Sequence, residues 1–201
     1  MTNRVNLEVV IIEVGDLSYF DFDGVNDYLN WGRLYAVENK PNISIEIWIN
    51  PEEFNMRLFN NNDTPSQEYS RYFIKFGQGS FSVATVNGSD GRLIAETDNS
   101  ITLNQWVHVV FVFDGTKASP TDRFEIYVNG AQEDFNYPTI NDNSLFYPST
   151  NNTWFAYSTN SIGQRKYSEV SLSLLRVYAR SLTSSEVLHK FETFKERFNL
   201  N

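Results

Sequence analysis

Glu46, Trp48 and Asn50 alternate with Ile47 and Ile49 in a stretch that reads as a β-strand, so the three polar or aromatic side chains share one face. Retaining glycoside hydrolysis needs two carboxyl groups about 5 Å apart, one as nucleophile and one as acid/base. Same-face neighbours on a strand provide that separation, but here they are Trp and Asn, and only one carboxylate remains. Glu52 and Glu53 follow Pro51 at the strand end with no helper visible. The two histidines, His108 and His189, offer no triad. His108 lies mid-strand beside Trp106, where a half-buried, hydrogen-bonded side chain is expected. His189 falls on a C-terminal helix and is expected in solvent. There is no cysteine, which removes disulfides and thiolate metal sites, and no zinc spacing, phosphate loop or dinucleotide fingerprint occurs. The residues predict a chain that is not an enzyme.

Binding is the better chemical match. Sugar rings stack their C–H faces on flat aromatics while amides and carboxylates hydrogen-bond the hydroxyls. The segment from Asp134 to Ser161 combines Phe135, Tyr137, Phe146, Tyr147, Trp154 and Tyr157 with many asparagines, and Tyr69 and Tyr72 sit near Asn60-Asn61-Asn62. Tyr147, Trp154 and Tyr157 are the expected glycan platform. The alternative for each aromatic is that it pins its loop to the body of the fold.

The elements that would position these residues are short strands. Ile43, Ile45, Ile47 and Ile49 alternate strictly with Ser44, Glu46, Trp48 and Asn50, which predicts one core face and one polar face bearing a single Trp. Further strands are predicted at Val5 to Val14, Tyr19 to Phe22, Tyr72 to Phe76, Phe81 to Val86, Arg92 to Glu96, Trp106 to Phe113, Phe124 to Val128 and Val170 to Tyr178. Asp114-Gly115 and Asn129-Gly130 supply turns. Two segments, Phe54 to Gln67 and Asp134 to Ser161, show no alternation and are expected to be long loops. Thr183 with Glu186 forms a capping box for a helix from Ser184 to about Phe198. Its apolar stripe is Val187, Phe191, Phe194 and Phe198. These four are the expected contact with another subunit, the alternative being packing on the chain's own polar-plus-Trp48 face. The pattern predicts an all-β, two-sheet antiparallel jelly-roll sandwich over 1–182, with the helix and tail at 183–201 belonging to the same domain.

The 201 residues, 41% hydrophobic and 15% aromatic, suffice for one large β domain. A net charge of −9 and a pI near 4.7 argue against nucleic acid and against an anionic membrane. The run Val9-Val10-Ile11-Ile12, bounded by Glu8 and Glu13, is too short for a signal-peptide core or a membrane span. Export by the general route is therefore not expected.

Phe22-Asp23-Gly24-Val25-Asn26-Asp27-Tyr28, Trp106-Val107-His108, Tyr127-Val128-Asn129-Gly130, Ile162-Gly163 and the Arg176-to-Thr183 stretch occur in an order that resembles the laminin-G-like branch of the concanavalin A-like lectin/glucanase superfamily. That fold hosts lectins, glycan hydrolases, adhesion modules and virus-particle parts. The glucanase relatives carry a Glu-x-Asp-x-(x)-Glu string, which Glu46 to Asn50 does not reproduce. Many relatives bind a structural calcium ion. Asp21, Asp23 and Asp27 would hold it here, but the acidic pair often found before the last Arg/Val/Tyr segment is replaced by Ser173 and Leu174, so no cofactor is assigned. The resemblance, without an export signal or attached enzyme, leads to the expectation of a bacteriophage head or tail protein, located in the virion and bound to other protein subunits as a homo- or hetero-oligomer. The alternative is a glycan-binding lectin or adhesin, extracellular by a non-classical route.

Overall fold

The computed structural model describes residues 10–14, 17–32, 40–60, 72–77, 80–87, 91–97, 101–140, 153–159 and 165–200. In chain order its strands are β1 (Val10–Val14), β2 (Leu17–Asp23), β3 (Leu29–Gly32), β4 (Asn42–Pro51), β5 (Met56–Asn60), β6 (Tyr72–Gly77), β7 (Ser80–Asn87) and β8 (Gly91–Thr97). There follow β9 (Val107–Asp114), β10 (Phe124–Val128), β11 (Ala131–Gln132), β12 (Phe135–Ile140), β13 (Thr153–Phe155), β14 (Tyr157–Thr159), β15 (Arg165–Tyr167) and β16 (Glu169–Tyr178). Helix α1 (Ser184–Phe194) runs into a 3₁₀ turn, Lys195–Phe198.

Two antiparallel sheets form the sandwich. The first is ordered β1-β2-β16-β4-β9-β10-β11 and the second β12-β8-β7-β6-β5-β13-β3, with β14 and β15 paired separately. β4 lies at the centre of the first sheet. Ile43, Ile45, Ile47 and Ile49 sit opposite Phe113, Phe111, Val109 and Val107 of β9, all buried between the sheets. This is the core face expected from their alternation. From the second sheet Met56, Leu58, Phe59, Phe76, Phe81 and Phe155 meet them. Phe81 packs edge-on against Phe111 at 5.6 Å and Phe155 against Phe22 at 5.4 Å, tying the two layers together.

The two expected long loops need correction. The first contains β5, and the second contains β12, β13 and β14. Each of the first three has a register shift, between Arg57 and Phe59, between Asn136 and Thr139, and between Thr153 and Trp154. A bulge places two residues against one, which breaks the period of two that identifies a strand. Short, bulged strands therefore read as loops.

The capping box forms as expected. Thr183 Oγ1 accepts from the Glu186 N–H at 3.3 Å, and Glu186 Oε2 accepts from the Thr183 N–H at 2.9 Å. The helix lies on the outer face of the first sheet. Val187 packs with Val110, Val112, Tyr127 and Leu182, while Phe191 and Phe198 pack on Trp48. Close approach requires Gly130, whose φ of +80° and lack of Cβ leave room for Phe191. The stripe assigned to subunit contact is thus applied to the chain's own sheet: Val187, Phe191 and Phe198 are buried and Phe194 is half-buried. Leu188, 48% exposed, is the apolar side chain the helix leaves in solvent.

Candidate functional site

The outer face of the first sheet gathers the polar residues that alternate with its core. Glu46 stands opposite Arg176 of β16 and Val110 of β9, and Trp48 opposite Leu174 and His108. Helix α1 closes this face. Glu46 is fully buried, and its charge is balanced by side chains from three neighbouring elements. Tyr178 donates to Glu46 Oε2 at 2.5 Å, and Lys190 of α1 donates to the Tyr178 hydroxyl at 2.7 Å. Lys190 Nζ also lies 3.4 Å from Glu46 Oε2, while Arg176 and His108 Nε2 each lie 3.5 Å from Oε1. Burial pushes the carboxyl's pKa up, but His108, Tyr178, Lys190 and Arg176 outweigh it and hold it down at about 2. Glu46 is therefore a buried, paired carboxylate with no access for a substrate.

His108 differs from its expectation. It is completely buried, and neither ring nitrogen has a hydrogen bond of good geometry. The ring is held instead by Trp48 at 4.8 Å and by a stacked Phe191 at 6.0 Å. Its backbone N–H donates to Asn129 Oδ1 at 3.0 Å. His189 is exposed, as expected.

Glu52, expected to lack a helper, has one. The Ser171 hydroxyl lies 2.9 Å from Glu52 Oε1 and 3.2 Å from Asp21 Oδ1, so two carboxylates share one donor. Burial, then the charges of Asp21 and Glu169, push the Glu52 pKa up despite the Ser171 bond. No sequence signal pairs these residues, because Glu52 and Ser171 meet only through the β4–β16 register.

The aspartates that would hold calcium do not fit that ion. Calcium takes six to eight oxygens aimed at one point. Asp23 Oδ1 instead accepts the N–H groups of Val25 at 2.8 Å and Asn26 at 3.2 Å, which lowers its pKa. Asp27 Oδ2 accepts from the Asp23 N–H, and Asp21 is bonded to Ser171. Among the described residues no three His, Cys, Asp or Glu side chains are grouped to hold a metal. Ser173 donates to the Ser18 carbonyl and Leu174 packs beneath the helix.

Of the three glycan-platform residues, the structure describes the backbone of Trp154 and the side chain of Tyr157. Tyr147 lies outside the described residues. Trp154 is on β13, its backbone paired with Asn60 on one side and Asn30 on the other. Tyr157 is half-buried between Tyr28 at 5.3 Å and Tyr167 at 5.5 Å, an aromatic cluster that pins β14 and β15.

This geometry coincides with a known family. Residues 23–188 match the laminin-G-type model of the concanavalin A-like lectin/glucanases superfamily. The chain belongs to that superfamily. No curated protein sequence matches it. Among solved structures it is similar to the binding domain of botulinum neurotoxin serotype G, at 15% identity and a TM-score of 0.67, over 94% of this chain and 46% of that one. It is also similar to the receptor binding domain of botulinum neurotoxin C/D mosaic serotype, at 13% identity and a TM-score of 0.63, over 94% and 46%. A native heptameric SAP-like pentraxin from Limulus polyphemus matches at 18% identity and a TM-score of 0.58, over 84% and 78%. The chain spans about half the length of the toxin domains.

Proposed function

We propose that this chain is a non-catalytic recognition and assembly module. The observation that carries the reading is Glu46. It is the one carboxylate of the Glu46-to-Asn50 string, and it is sealed beneath α1 by Tyr178, Lys190, Arg176 and His108. With that face closed, recognition falls to the loops and strand edges. The matched solved structures support the reading as a class: two are toxin binding domains and one is a heptamer. The proposed setting is a bacteriophage head or tail, with protein subunits as partners. Since the helix stripe is buried, subunit contact would run through other apolar side chains, of which Val25, Phe54 and Leu188 are exposed.

Incubation with a panel of β-glucans tests the non-catalytic half, with no release of reducing ends expected. Release that disappears in Glu46→Gln or Glu52→Gln overturns it. Light scattering coupled to size exclusion, together with a glycan array, tests the recognition half. A strict monomer that binds no glycan on the array contradicts it.

A further inference from the structure

A groove of about 250 Å³ opens beside the buried face, between the loop before β9, the β10–β11 turn and Leu200 at the C-terminal end. Its wall is the half-buried indole of Trp106, backed by Phe198 at 5.0 Å and by the edge of Tyr19 at 5.4 Å. Thr102, Gln105 and Asn129 line it. Among the described residues, the Gln105 amide, the Thr102 hydroxyl, the Trp106 indole N–H and the Asn129 amino group have no hydrogen-bond partner. Asn129 is oriented for this. Its Oδ1 accepts from the His108 N–H at 3.0 Å and its backbone N–H donates to the His108 carbonyl at 2.8 Å, so the amino group is left to face outward.

Two further properties narrow the ligand. Every described residue lining this groove is uncharged, in a chain of net charge −9. A second groove, by contrast, carries Asp122, Glu125, Glu133 and Asp134 against Lys117. The walls are also preformed. The Asn104 N–H is fixed to the Pro51 carbonyl at 2.8 Å, and the Leu200 N–H to the Lys195 carbonyl at 3.0 Å. A neutral, preformed groove with one aromatic wall and several free hydrogen-bond donors suits an uncharged polyhydroxylated ring. Its volume is below the roughly 300–1,000 Å³ of sites for larger ligands, so it holds one ring and not a chain.

We infer that the Trp106–Gln105–Asn129 groove is a binding site for a single neutral sugar ring, such as the terminal hexose of a glycan. The inference rests on the reading of the chain as a recognition module, and it assigns the contact to residues other than Tyr147, Trp154 and Tyr157. The ring lies along Trp106, its hydroxyl oxygens accept from Gln105 and Asn129, and Thr102 closes the rim.

The test is an NMR titration of the full chain with methyl glycosides of glucose, galactose, mannose and N-acetylglucosamine, following the Trp106 indole N–H. At least one should shift that resonance saturably, with a Kd near 1 mM, the scale of about 4 kcal/mol. Gln105→Ala removes an exposed amide. Asn129→Asp keeps the acceptor for the His108 N–H but loses the amino donor. Each should weaken the titration about tenfold at unchanged Tm, which a merely structural role for these residues would not produce. A Trp106 signal that stays fixed with all four glycosides, or a titration indifferent to both substitutions, overturns the proposal. Array binding with a fixed Trp106 signal overturns the groove alone and leaves the module reading standing.

Discussion

Phe198 stacks on Trp48 with ring centroids 4.0 Å apart and planes 12° from parallel. Phe191 lies over the same indole at 6.0 Å and 13°. The last aromatic of the chain thereby covers the outward Trp of the central strand, and the polar face of the sheet becomes a second buried layer.

Removal of the helix by truncation after Leu182 should abolish soluble folding, because it exposes Trp48, His108, Val110, Val112 and Tyr127 together with the Glu46 carboxylate. Phe198→Ala alone should cost about 3–5 kcal/mol, the range for deleting a buried aromatic ring. Urea denaturation followed by Trp fluorescence measures both. A truncated chain with an unchanged unfolding midpoint would contradict the packing role.

Glu46 and pH form a second expectation. Its folded pKa, about 2, lies below the ordinary 4.5. Its contribution is therefore fully present above about pH 4.5 and is lost as pH falls toward 2. Glu46→Gln should lower stability at pH 7 by about 2–3 kcal/mol, the scale of hydrogen bonds to a charged group, and flatten the acid limb of Tm against pH. Glu186, held low first by its Arg180 hydrogen bond, titrates over the same range, so Glu186→Gln is the control. An acid limb unchanged in Glu46→Gln would assign the sensitivity elsewhere.

Glu52 should behave with the opposite sign. Its folded pKa is raised, so the ionised form is disfavoured by folding and the associated stability is lost as pH rises through the folded value. Glu52→Gln should raise Tm at pH 7 and give no gain at pH 4, by calorimetry. A lower Tm at pH 7 would show that the Ser171 bond outweighs the repulsion from Asp21 and Glu169.

Gly130 supplies a steric test. A Cβ there would meet Phe191 at 3.0 Å, and its φ is +80°. Gly130→Ala should destabilise by at least about 1–2 kcal/mol, the cost of the left-handed conformation alone, and loosen α1 in hydrogen exchange. Wild-type protection of the α1 amides would contradict the close contact.

What the sequence by itself determined is local. The isoleucine alternation defined the core face of β4, because successive side chains on a strand point to opposite sides. Thr183 and Glu186 defined where α1 begins, because a capping box joins residues three apart. The apolar stripe of α1 showed that something covers it. Tertiary structure decided what that was. Glu46 acquires Tyr178, 132 residues away, only through the β4–β16 register, and Lys190 only when the helix folds back. Strands β5, β12 and β13 were hidden because bulges erase their alternation. The groove beside Trp106 joins three turns distant in the chain, and no spacing along the sequence encodes such a meeting. Periodicity and capping depend on nearest neighbours, whereas the closed polar face and the groove depend on register and docking between distant segments.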